Sequence, residues 1–323
     1  MIEKEILLFT NPLLNPIFGE VVLRMIIGCG AGFILIFILN KCTLKNIFES
    51  KLWNIYKGWL ILIPLYCAGI FFGWITGGLI ILSFIIIALW EVVKIANIPV
   101  VYGYVLSLLA ASTLFVAIFS PHMLSLFPLL YFALLCFTAV RSNDAEKGFY
   151  NSSVSLFAAI WIVFGLSHIA LLAHLNSTLD ATNALLFMVI FAVTLSDIGA
   201  YVFGKFFQKI GFLNQYTIAS NISPNKTYIG IVGHVIGASV GVWAMWFAVG
   251  GYMHGYNFLI LAVLIGVFGS IGGMINSLFK RYFHVKDSGA LLAGHGGALD
   301  RIDSTIRVVV VVYYYFYFFI ILP

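Results

Sequence analysis

Ala184 to Gly204 reads ALLFMVIFAVTLSDIGAYVFG, and this stretch decides the fold. It is a run of apolar side chains with a single charge, Asp197, and as an α-helix it is long enough to cross a hydrocarbon core about 30 Å thick. Runs of the same kind recur through all 323 residues, and spans are expected near 21–39, 59–73, 76–92, 99–118, 122–140, 152–172, 184–204, 229–249, 257–275 and 305–322. The second and third are short enough to form a tilted hairpin. Composition agrees: 62% of residues are hydrophobic and 9% charged, with a mean hydropathy of +1.07. Soluble domains carry about half apolar and a quarter charged residues. The expected fold class is therefore all-α, a polytopic integral membrane protein of about ten transmembrane helices with no soluble domain between them.

Charge placement sets the orientation. Apart from Lys4, Arg24 and Arg307, all of the 17 Lys and Arg residues fall in alternate connections, from Lys41 and Lys57 to Lys280 and Arg301. By the positive-inside rule those connections face the cytoplasm and the N-terminus lies outside. The opening MIEKEILLFTNPLLNP is acidic with one lysine, unlike a secretory leader, and is expected to be retained. Cys29, Cys42, Cys67 and Cys136 lack metal or redox spacing and read as small apolar side chains. Polar motifs gather after residue 190. The chain thus divides into an N-terminal transmembrane scaffold half, 1–183, and a C-terminal transmembrane catalytic half, 184–323, within one membrane domain.

Asp197 shares a helix face with Tyr201 and Gly204, at i, i+4 and i+7. A carboxylate at membrane depth is costly unless it faces protein, water or a cation, so it reads as functional; the plainer reading is a hydrogen-bond partner for another helix. In Ser223-Pro224-Asn225-Lys226-Thr227, Pro224 is expected to force a turn and Lys226 to stand at the start of the next helix. A phosphate bound there would relieve the conflict between an ammonium and a helix N-terminus, whereas the bland reading is a membrane-edge anchor.

The last connection, NSLFKRYFHVKDSGALLAGHGGALDRIDS from Asn276 to Ser304, is the richest in chemistry. It holds Lys280, Arg281, Lys286 and Arg301, the carboxylates Asp287, Asp300 and Asp303, and His295 among Gly289, Gly294, Gly296 and Gly297. Glycine lets backbone N–H groups approach a phosphate closely. Asp300 and Asp303 share a face on a helix starting near Ala298, and beside cations and glycines they suggest a Mg²⁺ site holding a polyphosphate. Each carboxylate alone is equally a first-turn residue favoured by the helix dipole. Glu91, in ALWEVVKIA, is expected to pair with Lys94, and Gly230, Gly233, Gly237 and Gly241 mark a close helix-packing seam.

Lys280-Arg281, Lys286-Asp287-x-Gly289, Gly294-His295-Gly296-Gly297 and Asp300-Arg301-x-Asp303-Ser304 together resemble the signature of the CDP-diacylglycerol synthase (phosphatidate cytidylyltransferase) family. Asp197-x-x-Ala200-Tyr201-x-x-Gly204-Lys205 and Ser223-Pro224-x-Lys226-Thr227 stand in that family's order, so the resemblance covers about residues 195–305. It implies the reaction of CTP with phosphatidate to give CDP-diacylglycerol and pyrophosphate. It further implies Mg²⁺, with K⁺ also used, a cytoplasm-facing active site, a homodimer, and residence in the inner membrane of a bacterium. CTP, phosphatidate and the bilayer are the implied partners, with no nucleic acid. On this resemblance Asp300, Asp287, Lys286 and Asp197 are catalytic, and Asp300, Asp303 and Asp287 hold metal. Lys226, Ser223, Thr227, Lys280, Arg281, His295, Gly296, Gly297 and Arg301 hold substrate and its phosphates.

The chain departs from the family pattern at several positions. The family's Gly-Asp before the Lys-Arg pair, whose aspartate is a metal ligand, is Gly272-Gly273 here. The glutamate three residues later is Asn276, the glutamate after Lys-Thr-x is Ile229, and a proline before Gly-His-Gly-Gly is Ala293. Two other readings stay open. One is a weakened relative that binds CTP or anionic lipid without efficient turnover, or acts on another lipid phosphate. The other is a transporter with Asp197 as its ion site, which would place its charges at the midplane rather than in a connecting loop.

Overall fold

The computed structural model describes residues 8–39, 48, 50–178, 183–211, 216–289 and 296–321. Its helices are α1 (Phe18–Leu39), α2 (Lys51–Phe71), α3 (Trp74–Ile95), α4 (Val100–Phe119), α5 (Phe127–Arg141), α6 (Ala145–Ala158), α7 (Gly165–Thr178), α8 (Ala184–Ile210), α9 (Tyr228–Val249), α10 (Tyr256–Tyr282) and α11 (Leu299–Phe316). A π-turn at Ala159–Phe164 joins α6 to α7 into one span, Ala145–Leu175. Among the described residues nine helical stretches are long and apolar enough to cross a membrane, and the apolar part of α2, Tyr56–Phe71, is shorter. Among the described residues, each of the ten expected spans falls on a helix. The shortness anticipated for two of them belongs to α2 alone, because α3 runs a full 22 residues.

The chain is an all-α polytopic integral membrane protein. Its rim exposes side chains such as Leu108, Phe115 and Trp243, while Leu89, Leu106, Trp161, Leu185 and Val309 fill the interior. Exposed apolar side chains at this density belong against lipid.

The packing of α8 against α9 is built on the predicted glycine seam. A Cβ on Gly237 would strike the Leu195 carbonyl oxygen and lie 3.0 Å from the Ser196 Cα, and one on Gly241 would lie 2.5 Å from the Ala192 Cα. Backbone against backbone leaves no flexible atom to yield. Gly237→Val is therefore expected to force α8 from α9 and lower stability by about 1–3 kcal/mol. Thermal denaturation in detergent checks this; a wild-type melting curve would refute the seam.

One element differs from expectation. Between α8 and α9 lies a two-stranded antiparallel hairpin, β1 (Thr217–Ala219) and β2 (Ser223–Thr227), pairing Thr217 with Thr227 and Ala219 with Ser223. The turn falls at residues 220–222, before Pro224, which sits within β2. A two-stranded sheet has only edge strands, where a missing N–H is tolerated. Lys226 consequently belongs to β2, and Thr227 caps α9, its Oγ1 accepting from Gly230 N at 3.2 Å.

Candidate active site

Asp197 is carried by the middle of α8, Lys226 and Thr227 by β2, His234 by α9, Ser270 and Gly273 by α10, and Asp300, Arg301, Asp303 and Ser304 by the first turns of α11. These residues, with Tyr201 and Gly204, line one cavity of about 420 Å³. The i, i+4, i+7 face predicted for α8 thus faces the cavity as a unit. The close approach of α10 to α11 brings the carboxylates in: a Cβ on Gly272 would lie 3.1 Å from the Ser304 Cα.

Asp300 is the most fully bound carboxylate. Its Oδ1 accepts from Lys280 Nζ at 2.5 Å and Asn276 Nδ2 at 2.9 Å. Its Oδ2 accepts from Ser288 N at 2.9 Å, Ser288 Oγ at 3.0 Å and Gly297 N at 3.3 Å. The loop closes onto it because Gly296 adopts a φ of +74° and leaves bare the space where a Cβ would sit 2.7 Å from Asp300 Oδ2. Asp303 is less occupied. Its Oδ2 accepts from Asn276 Nδ2 at 2.9 Å and its Oδ1 from Ser304 N at 2.7 Å. Ser304 Oγ lies 3.3 Å from Asp197 Oδ1 and 3.4 Å from Asp303 Oδ1, so one hydroxyl links these two carboxylates.

Asn276 thus bridges Asp300 and Asp303 with its amide nitrogen, while its Oδ1 is buried without a hydrogen-bond partner. Lys226 Nζ donates to the Ser270 carbonyl at 3.2 Å and occupies the space where a side chain on Gly273 would begin. Burial pushes the Lys226 ammonium below the usual lysine range, against the opposing pull of Asp303 and Asp197. His234 Nδ1 lies 2.9 Å from Ser196 Oγ and 3.7 Å from Asp197 Oδ1.

Of the residues singled out in the sequence, Asp197, Lys226, Thr227, Asp300, Arg301 and Asp303 meet at the cavity. Lys280 joins them through Asp300, and Gly296 and Gly297 frame the Asp300 carboxylate. Arg281, Lys286 and Asp287 are exposed and outside the lining, as is the half-buried Ser223. His295 and Gly294 lie outside the described residues. Among the described residues no three His, Cys, Asp or Glu side chains stand together as a ready-made metal site.

The sequence did not bring two residues to this site: His234 was not singled out, and Glu91 was paired with Lys94. His234 had a visible signal, its place on the glycine face of α9 that packs against Ser196 and Asp197. Glu91 did not. Its carboxylate ignores Lys94 and instead accepts from Ala298 N at 2.7 Å, Leu299 N at 3.0 Å and Ser288 Oγ at 2.8 Å, on a loop some two hundred residues further along.

Comparison with known proteins gives a consistent set of relatives. A model of the cytidylyltransferase family matches residues 56–319. A phosphatidate cytidylyltransferase of Staphylococcus haemolyticus is 31% identical over 178 residues, 55% of this chain and 63% of that protein. One of Staphylococcus saprophyticus is 32% identical over the same shares. In Staphylococcus aureus the identity is 39% over 117 residues, 36% of this chain and 43% of the relative. The match therefore spans less than two thirds of the length of these curated relatives.

Proposed function

The chain belongs to the cytidylyltransferase family, and from that premise we propose that it is a phosphatidate cytidylyltransferase, joining CTP and phosphatidate into CDP-diacylglycerol with release of pyrophosphate. The observation that carries this reading is the cavity itself, which gathers three carboxylates, Lys226 and Arg301 inside a bundle of apolar helices. Charge gathered at the end of membrane spans suits a substrate with one polar phosphate end and one lipid end. An oxygen of the lipid phosphate would attack the α-phosphorus of CTP in line; the bond from that phosphorus to the β-phosphate oxygen would break, and pyrophosphate would leave.

The residues present accommodate Mg²⁺, which needs only one or two protein carboxylates beside substrate phosphates. Asp303 and Asp197 would hold it with K⁺ as a further cation, the buried, unpartnered Asn276 Oδ1 would offer a third oxygen, and the metal would neutralise polyphosphate charge. Lys226 and Arg301 would orient the phosphates. Lys280, held by Asp300, would add positive charge beside them. In the cell the cavity would open to the cytoplasm, where CTP is, with the N-terminus outside, in the inner membrane of a bacterium and as a homodimer.

Pyrophosphate release by the purified protein in detergent, with CTP, phosphatidate and Mg²⁺, is the test. Turnover dependent on all three is expected. A second reading, a relative that binds CTP or anionic lipid without efficient turnover, is favoured by the Lys226 ammonium standing against Gly273 and the Asn276 amide between Asp300 and Asp303. Saturable CTP binding without pyrophosphate would select it, and neither binding nor turnover would defeat both.

A further inference from the structure

We propose that Glu91 is a positioning residue of this site: its carboxylate, carried by α3 from the first half of the chain, fixes Ser288 and the start of α11, which place Asp300. The inference rests on the cytidylyltransferase reading for its kinetic consequence and on geometry alone for its structural one.

α11 begins without a local cap. Ala298, at the N-cap position, has no side-chain oxygen, and the first N–H groups of a helix need acceptors from elsewhere. Glu91 supplies them, Oε1 accepting from Ala298 N at 2.7 Å and Oε2 from Leu299 N at 3.0 Å. A negative charge at this end also suits the helix dipole. Gly289 and Gly297 leave room for that carboxylate. A Cβ on Gly289 would lie 2.6 Å from Glu91 Oε1, and one on Gly297 would collide with both Glu91 oxygens.

Ser288 passes the constraint on. Its Oγ lies 2.8 Å from Glu91 Oε2 and 3.0 Å from Asp300 Oδ2, and its backbone N donates to the same Asp300 oxygen at 2.9 Å. A serine hydroxyl has one proton, so the two carboxylates share it. Glu91 therefore sets where Ser288 sits, Ser288 and Gly297 set where Asp300 sits, and Asp300 holds Lys280 at the cavity. The first half of the chain supplies more than packing.

The test compares Glu91→Gln, Glu91→Ala, Ser288→Ala and the Glu91→Gln/Ser288→Ala pair in the full chain in detergent, normalised to the folded fraction. Pyrophosphate release is expected to fall roughly 100-fold in Glu91→Ala. In Glu91→Gln it should fall about 10-fold, because the amide keeps one acceptor and turns a donor toward a backbone N–H. The pair should be no worse than the weaker single variant, since both act through one linkage. Residues acting independently would instead give additive losses, and a purely global stability role would leave the normalised turnover unchanged; either would overturn the proposal. Hydrogen exchange supplies an arm independent of catalysis: the amides of Ser288, Ala298 and Leu299 should lose protection in Glu91→Gln while those of α9 keep theirs. Unchanged protection and turnover in both Glu91 variants would also overturn it. If the wild type releases no pyrophosphate, the functional reading fails, while selective loss of protection still supports the positioning role.

Discussion

Asp300→Ala is expected to lose pyrophosphate release about 1000-fold or more and to destabilise the fold by roughly 3–5 kcal/mol. Both effects come from one fact: Asp300 accepts five hydrogen bonds, including that of Lys280, in a place where only 9% of its side chain and 14% of that of Lys280 are exposed. Removing one member of a buried ion pair strands the other charge, and here it also strands the Ser288 and Gly297 N–H groups. Stability and chemistry can be separated. Lys280→Met/Asp300→Ala removes both charges, so most of the lost stability should return while turnover does not. Asp300→Asn keeps the shape but must point an amide at existing donors on one side, and about a 100-fold loss is expected. Turnover by purified, folded Asp300→Ala within tenfold of wild type would refute a role for this carboxylate in the site.

The fold was legible because a bilayer imposes a simple rule on sequence: a crossing helix needs about twenty apolar residues, and these show in the chain without any knowledge of partners. The glycine seam was legible for a related reason, since Gly233, Gly237 and Gly241 repeat at helical spacing and their effect is local to one helix face. The site was legible in part. Asp197, Tyr201 and Gly204 were placed by period alone, and Asp300 and Asp303 by their spacing at a helix start. The hairpin was missed because Pro224 signals only that helix stops, and a two-stranded edge tolerates it as well as a turn does. Glu91 was given the wrong partner, Lys94, because its true partners include backbone amides far along the chain, and a backbone N–H has no residue identity to read. For the same reason spacing said nothing of the Lys226 ammonium facing Gly273, a meeting that requires β2 to lie against α10.

That meeting leads to the second large expected effect, in Lys226→Met, where pyrophosphate release should fall about 100- to 1000-fold. The methionine keeps much of the apolar stem and removes the charge. Lys226 Nζ is tied to the Ser270 carbonyl and shares the cavity with Asp303 and Asp197, so its loss leaves two carboxylates with less compensation just where an anionic polyphosphate would enter. Charge and position are separable through Gly273. A Cβ there meets the ammonium first, with Lys226 Cε at 3.6 Å and Asp303 Oδ2 at 3.7 Å, so Gly273→Ala must move the flexible tip of Lys226 while leaving its charge in the cavity. About a 10-fold loss is expected for Gly273→Ala, well short of that in Lys226→Met. Equal losses would mean that the place of the ammonium matters as much as its charge. Full turnover in Lys226→Met would mean that Arg301 and Lys280 suffice to hold the phosphates, and Lys226 would then be a membrane-edge anchor as its sequence alone allowed.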